Sequence, residues 1–332
     1  MLRTVAEVSE LIQSGRRLVL AGSEEALSGL PTGEWIAGTI PYFMTEEGGQ
    51  VRSDVLFVTE LPPEVLYTRI TAHGPETLPR IAEEAPENGF TFLILPANSD
   101  VHLNYAREAP DYPQMYLRPI VGWISGVHLA DLGRITPKVV EGHTGRVHDD
   151  RGVAMHCALA PQVRAHLGIV NLFHPGDGDI ITFPADGFRA RECWINGKKW
   201  VFADYLASRT IDTKLPLVAN YNGVMVNVSI QGIDTASGCV DFYAPVFEGV
   251  AYKLAAPIAD YVEAFQGAIP SGIAPLFSCN CILNFLYSKL EGRVTPGMTG
   301  PITFGEIAYQ LLNQTLVYLT IEKASATFPK CL

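Results

Sequence analysis

Short apolar runs alternate with segments of helical spacing along the chain, and no long linker interrupts them. In Thr4–Ser14, Val5, Val8, Leu11 and Ile12 recur at the spacing of an amphipathic helix, with Gly15 placed to end it. Arg17–Ala21 predicts a buried strand, and Ser23–Leu30 a short helix. Gly33–Met44 predicts a strand running into a turn, Ser53–Thr59 and Val65–Thr71 two further strands, and Glu76–Glu84 a helix closed by Asn88-Gly89. Gly89–Pro96 is apolar enough for another buried strand.

From about Pro119 the pattern shortens. Pro119–Ser125, Lys138–Gly142, Gly152–Leu159 and Gly168–Phe173 predict strands, with turns at Gly142–Gly145 and His174–Gly178. Asp179–Phe183 reads as a strand. Arg189–Trp194 and Lys198–Phe202 flank Asn196-Gly197, a strong hairpin turn. Phe202–Ser208 predicts a helix, then Leu215–Asn220, Val224–Ile230 and Gly238–Phe242 predict strands. A helix over Ala256–Gln266 precedes two motif-bearing strands and a final strand at Leu316–Ile321. The expected fold class is α/β (α+β), with mixed sheets flanked by helices in two closely packed units, 1–210 and 211–332.

Composition narrows the function classes. The 332 residues are 48% hydrophobic and 18% charged, enough apolar matter for one large core or two ordinary ones. A formal net charge of −11 argues against nucleic acid and anionic membranes as partners. The N-terminal ten residues carry acids where a signal peptide would be basic and then apolar. The longest apolar stretches, such as Gly89–Ala97, are too short to span a bilayer. Six cysteines (Cys157, Cys193, Cys239, Cys279, Cys281 and Cys331) are too scattered for a disulfide scaffold, so a reduced, cytoplasmic protein is expected.

The chemistry-bearing residues concentrate near the C-terminus, in Leu276-Phe-Ser-Cys-Asn-Cys281, Gly300-Pro-Ile-Thr-Phe-Gly-Glu306 and Leu312-Asn-Gln-Thr-Leu-Val-Tyr318. Strand-like runs there deliver amides, thiols and a carboxylate to their ends, as ligand sites require. Upstream stand Trp35-Ile-Ala-Gly-Thr39, Ile120-Val-Gly-Trp-Ile-Ser-Gly126 and Asn196-Gly-Lys-Lys-Trp-Val-Phe-Ala-Asp-Tyr-Leu206. The order of these segments resembles the FIST family of sensory domains. Val19–Tyr205 is similar to its N-terminal unit and Leu215–Ile321 to its C-terminal unit. Ile40-Pro-Tyr-Phe-Met44 is bulkier than the small-residue turn of that family, which implies a divergent member with its own ligand. The resemblance implies a non-catalytic protein that binds a small organic molecule, amino-acid-like in its polar groups. Because no kinase, cyclase or DNA-binding output segment is recognised, a signal would pass to a separate protein partner.

The expected pocket gathers Trp35, Gly38, Thr39 and Tyr42 from the first glycine turn, and Asn98, Asp100 and His102 after the Gly89–Pro96 strand. Trp123, Cys279, Asn280, Cys281, Gly305, Glu306 and Asn313 complete it. Glu306 would orient a cationic or donor group, and its removal to Ala would weaken binding without unfolding the chain. Each of these residues also has a plainer use. Asn98, Ser99 and Asp100 suit an Asx turn or a helix cap, the aromatics suit core packing, and the amides can pair with backbone. On a strand, Cys279 and Cys281 share a face. That arrangement fits a redox pair, half of a metal site, pocket thiols, or small buried core residues. His143, His148, Asp149, Asp150 and His156 cluster in sequence without a zinc-hydrolase spacing, and turn chemistry accounts for His143–Asp150. No metal set is expected. Covalent haem lacks its Cys-x-x-Cys-His attachment motif, whereas a non-covalent haem stays open. No nucleophile elbow, Walker or Rossmann glycine motif occurs. The alternatives are an enzyme using a thiol of Cys279–Cys281 and a structural adaptor with no ligand.

Overall fold

The computed structural model describes residues 1–221, 224–270 and 272–324. Cys331, and with it the tail of the expected 211–332 unit, lies outside the described residues. The fold is mixed α/β: the described residues form three six-stranded and three three-stranded sheets packed with helices.

The first sheet runs in the order Leu2–Thr4, Val55–Glu60, Leu18–Gly22, Trp35–Thr39, Val139–Glu141, Arg146–His148. Leu18–Gly22 and Trp35–Thr39 are parallel, joined through the short helix Glu24–Ser28. Strand alternation divides their side chains between two layers. Val19, Ala21 and Ile36 enter the central core, while Leu18, Leu20, Trp35 and Ala37 pack under Val8 and Ile12. Val8 and Ile12 belong to the helix Val5–Gln13, which begins in a reciprocal capping box between Thr4 and Glu7.

The second sheet runs Gln310–Leu312, Glu306–Ala308, Ile120–Ser125, Gly89–Pro96, Gly152–Leu159, Val65–His73. Its parallel pair, Gly89–Pro96 and Ile120–Ser125, is bridged by the helix Asp100–Glu108. Phe90, Phe92 and Ile94 point into the same central core as Val19. Leu93 and Leu95 face Val101 and Tyr105 of the bridging helix. A third sheet adds Val163–Val170, Leu316–Lys323, Phe277–Cys281, Gly300–Thr303, Tyr42–Thr45 and Gly48–Val51. Strands from both sides of residue 210 therefore pair directly. Ile120–Ser125 meets Glu306–Ala308, Tyr42–Thr45 meets Gly300–Thr303, and Val163–Val170 meets Leu316–Lys323.

Several expectations need correction. Glu76–Glu84 forms only a single 3-10 turn, Leu78–Arg80, because Pro79 removes a backbone donor and Pro75 and Pro86 bracket the segment. Its apolar spacing survives as burial: Leu78, Ile81 and Ala82 plug the outer core without a helix. The strand expected at Gly168–Phe173 lies at Val163–Val170, in register with Leu316–Lys323. Val224–Ile230 ends early at Val228, and Ile230–Asp234 starts a new strand. His174–Gly178 is a loop tied down by the Pro175–Ala255 bridge, and the Ala256–Gln266 helix spans Tyr261–Ala268. There, the Asp260 carboxylate accepts from the amides of Val262 and Glu263. The Asn196-Gly197 hairpin forms as read, both residues with positive φ.

Candidate functional site

The C-terminal motifs do converge, in a place closed to solvent. Phe277–Cys281 pairs with Leu316–Lys323, and Cys281 leads into the helix Ile282–Tyr287, which carries Asn284. Asn280 Oδ1 accepts from the Cys281 amide at 2.8 Å, from Asn284 Nδ2 at 2.9 Å and from the Tyr261 hydroxyl at 3.4 Å. Glu306 Oε2 accepts from the Thr315 amide at 3.2 Å and from its hydroxyl at 2.8 Å, and Thr303 Oγ1 lies 3.4 Å from Oε1. Glu306 is fully buried. Burial pushes its carboxyl up to about 8 against the opposing hydrogen bonds from Thr315, Cys281 and Thr303, which shifts the acid toward its protonated form near neutral pH.

A second ring of amides continues the cluster. Asn313 Nδ2 donates to the Leu312 carbonyl, Asn227 Nδ2 to the Asn313 carbonyl, and Ser229 Oγ to Gln314 Oε1 at 2.7 Å. Among the described residues, Asn280 Nδ2, Asn284 Oδ1 and Asn313 Oδ1 are buried without a hydrogen-bond partner. The Glu306 carboxyl thus joins its strand to Thr303 and to Thr315 just before Leu316–Lys323, while Asn280 ties Cys281 to the helix through Asn284. Glu306 is sealed from solvent, so it offers a ligand from outside no accessible charge.

The thiols share this closed setting. Cys279 Sγ donates to the Gly122 carbonyl at 3.4 Å, and Cys279 and Cys281 are each 1% exposed. Burial first, then Glu306, holds both thiols well above the usual range, the reverse of what a nucleophile needs. Cys157 is likewise raised by burial and Cys193 is pushed up to about 12. Cys239 differs: it is half-buried, and hydrogen bonds from Ser237 and Arg189 lower its pKa. Brief treatment of the native protein with iodoacetamide at pH 7.5 should therefore alkylate Cys239 while Cys157, Cys279 and Cys281 stay unmodified. Peptide mass spectrometry reads the outcome; prompt labelling of Cys279 or Cys281 would contradict their sealed environment.

The aromatic and glycine residues lead outward from the cluster to the surface. Trp123 stacks on Phe277 at 5.5 Å. A Cβ on Gly38 would lie 2.6 Å from Ile94 Cγ2 and 2.9 Å from Trp123 Nε1, so glycine there lets the first two sheets approach. The next residue, Thr39, exchanges hydrogen bonds with Lys138, and its carbonyl accepts from the Gly126 amide at 2.7 Å. Thr39-Ile40-Pro41 and Gly126-Val127-His128 thus leave the ends of Trp35–Thr39 and Ile120–Ser125 side by side, as two walls of a cleft of about 740 Å³. His128 stacks on Tyr42 at 5.7 Å, and the Tyr42 hydroxyl accepts from the Leu129 amide at 3.0 Å. The rim is mostly acidic: Glu24 pairs with Lys138 and Asp131 with Arg134, whereas Glu25 has no ion pair among the described residues. Arg52 is held by Asp54.

Of the expected pocket residues, Thr39 lines this cleft, with Gly38 and Tyr42 directly behind it. Trp35 borders a smaller adjoining hollow of about 150 Å³ that shares Glu24 and Thr39, its indole donating to the Pro31 carbonyl. Trp123, Cys279, Asn280, Cys281, Glu306 and Asn313 belong to the sealed interior. Gly305 also serves the interior: its carbonyl accepts from the Ile124 amide at 2.8 Å, and a Cβ there would lie 3.0 Å from Ile124. Asn98, Asp100 and His102 start the Asp100–Glu108 helix and do not line the cleft. Asn98 takes positive φ, Ser99 caps the helix, and His102 Nδ1 accepts from the Asn98 amide while burial lowers its pKa to about 4. His143 and His148 flank Glu141, with His148 Nε2 at 2.5 Å from its carboxylate. The cleft residues Glu25, Arg52, His128 and Asp131 escaped the sequence reading because they come from three segments remote in sequence: the helix Glu24–Ser28, the turn around Arg52 and the 126–136 stretch.

These features define a mixed α/β protein whose sheets interleave N- and C-terminal strands, with one broad cleft beside two strand ends. The chain belongs to DUF6976, a family of unknown function, whose pattern it matches over residues 3–322. No curated protein matches it. No helix among the described residues is long and apolar enough to cross a membrane.

Proposed function

We propose that the protein reversibly binds a small organic ligand in the cleft between Thr39–Pro41 and Gly126–His128. It acts there as a non-catalytic, cytoplasmic sensory component of FIST type, and its bound state is read by a separate protein partner. The observation that carries this reading is the position of the cleft. It opens at the carboxyl ends of Trp35–Thr39 and Ile120–Ser125, each a member of a parallel pair, where α/β proteins commonly hold ligands. Its volume of about 740 Å³ falls in the range of metabolite sites. Ile40, Pro41 and Val51 supply apolar wall, and Glu25 favours a ligand with an ammonium group, hence an amino-acid-like one. A thiol-dependent enzyme is the weaker reading, because the thiols it needs are buried and protonated.

A thermal-shift screen against amino acids, amines and related metabolites tests the proposal. At least one cationic or zwitterionic compound should raise the melting midpoint of the wild type. Ile135 lines the cleft and is exposed, so Ile135→Trp should fill the cleft without disturbing the core. That variant should bind the same compound at least tenfold more weakly, a loss of about 1.4 kcal/mol. Equal binding by both proteins would move the ligand elsewhere.

A further inference from the structure

Three donor groups far apart in sequence meet on the outer face of the second sheet, away from the cleft and from the Glu306 cluster. His73 ends the edge strand Val65–His73, and His156 lies on its partner Gly152–Leu159, opposite Arg69. Strand alternation puts Arg69, Thr71, His73 and His156 on one face, while Ile70 and Met155 turn into the central core. Glu84 reaches this face from the loop that follows Leu78–Arg80. One donor atom from each of His73, Glu84 and His156 lies within 4.8 Å of the other two.

The hydrogen bonding around the two imidazoles is incomplete in the way a ligand set is. His156 Nδ1 is held by Thr91 Oγ1 at 2.9 Å, which fixes the ring and directs Nε2 toward Thr71 Oγ1 at 3.3 Å. His73 Nε2 lies 2.8 Å from the same hydroxyl, whose single proton can serve only one of the two rings. His73 is 3% exposed, and among the described residues its Nδ1 has no hydrogen-bond partner beyond the nearby Thr77 backbone. Arg69 anchors the remaining ligand: Nη2 donates to the Glu84 carbonyl at 2.8 Å and Nη1 to Oε2 at 3.3 Å, which leaves Oε1 without a hydrogen bond.

We propose that His73, His156 and Glu84 bind one divalent first-row transition-metal ion, zinc being the ion to test, with Thr71 beside its remaining coordination position. Two imidazoles and a carboxylate suit zinc and its neighbours rather than magnesium or calcium. A tetrahedral ion with bonds of about 2.0–2.2 Å spaces its donors by about 3.4 Å, so closure of about 1.5 Å at most completes the set. The two histidines sit on paired strands, and the Glu84 loop supplies the movement. Three protein ligands leave a position for water or a small anion, and the ion would tie the 74–88 segment to the sheet edge.

The test uses tag-free, chelator-treated full-length protein titrated with Zn²⁺ in a calorimeter. One equivalent should bind with micromolar affinity or better, and a large excess of Mg²⁺ should not displace it. Glu84→Gln, at a partly exposed position, should weaken binding at least tenfold; His73→Gln should do the same. His148→Gln, beside Glu141, should leave binding unaltered. The Co²⁺ form should show visible d–d bands without a thiolate charge-transfer band. Absence of Zn²⁺ binding, full affinity in Glu84→Gln, displacement by Mg²⁺, or a thiolate band would each overturn the assignment.

Discussion

Glu306→Gln should leave the protein folded at pH 7 and remove a decline in stability that the wild type shows as pH rises from about 4.5 to about 8. In the folded chain the Glu306 carboxyl holds its proton up to about 8, while the unfolded chain releases it near the ordinary 4.5. Over that interval the unfolded state binds fewer protons, so unfolding becomes easier as pH rises. The contribution is fully present below about pH 4.5 and lost by about pH 8. At about 1.4 kcal/mol per unit, the loss is on the order of 4–5 kcal/mol. Glutamine mimics the protonated acid: its oxygen can accept the two Thr315 bonds while its amide faces Thr303. His73, His102 and His156, all lowered by burial, tilt stability the opposite way below about pH 6.5, so the difference between the two proteins is the diagnostic quantity. Urea unfolding at several pH values should give curves that converge at low pH and separate toward pH 8. Parallel curves would mean Glu306 is ionised in the fold. Glu306→Ala, expected from the sequence to spare the fold, should instead cost about 3 kcal/mol or more. It leaves the Thr315 donors unpaired in a cavity.

Gly122→Ala should destabilise the protein by about 3 kcal/mol or more, the upper end of what an overpacked core costs. A Cβ there would sit 1.8 Å from the Leu93 carbonyl oxygen, a backbone atom in the adjacent parallel strand that cannot swing aside. Gly122 also pairs with Ile307 and accepts the Cys279 thiol, so shifting it disturbs the contact between the second and third sheets. A thermal melt shows the effect directly. A midpoint within a degree or two of wild type would contradict the close approach.

How much of this was legible beforehand follows from the range of the forces involved. Val5–Gln13, Gly89–Pro96, Phe202–Ser208 and the Asn196-Gly197 hairpin are set by local periodicity, capping and turn chemistry, all visible in a short window. The helix Asp100–Glu108 was read only as far as its cap at Asn98–Asp100, and Ile282–Tyr287 went unread. The body of the first is polar, and the second follows an apolar strand without a capping side chain. The sheet orders depend on pairings such as Tyr42–Thr45 with Gly300–Thr303, which no local pattern encodes. The same division holds for the site. That Asn280, Cys281, Glu306 and Asn313 would cluster was readable, because strand ends bring such residues together. Whether the cluster would face a ligand or be sealed was not readable, since burial is decided by the strands packed around it. The cleft at Thr39 and His128, and the meeting of His73, Glu84 and His156, arise from loops and strands that are remote in sequence.

The central claim is that a ligand enters the cleft at the strand ends and not the sealed polar cluster. Hydrogen–deuterium exchange, compared with and without the best compound from the thermal-shift screen, tests it most directly. The account expects slowed exchange in segments 39–41, 51–53 and 126–136, which line the cleft. Protection confined to Phe277–Cys281 and Glu306–Ala308, or no protection with any compound of the panel, would contradict it.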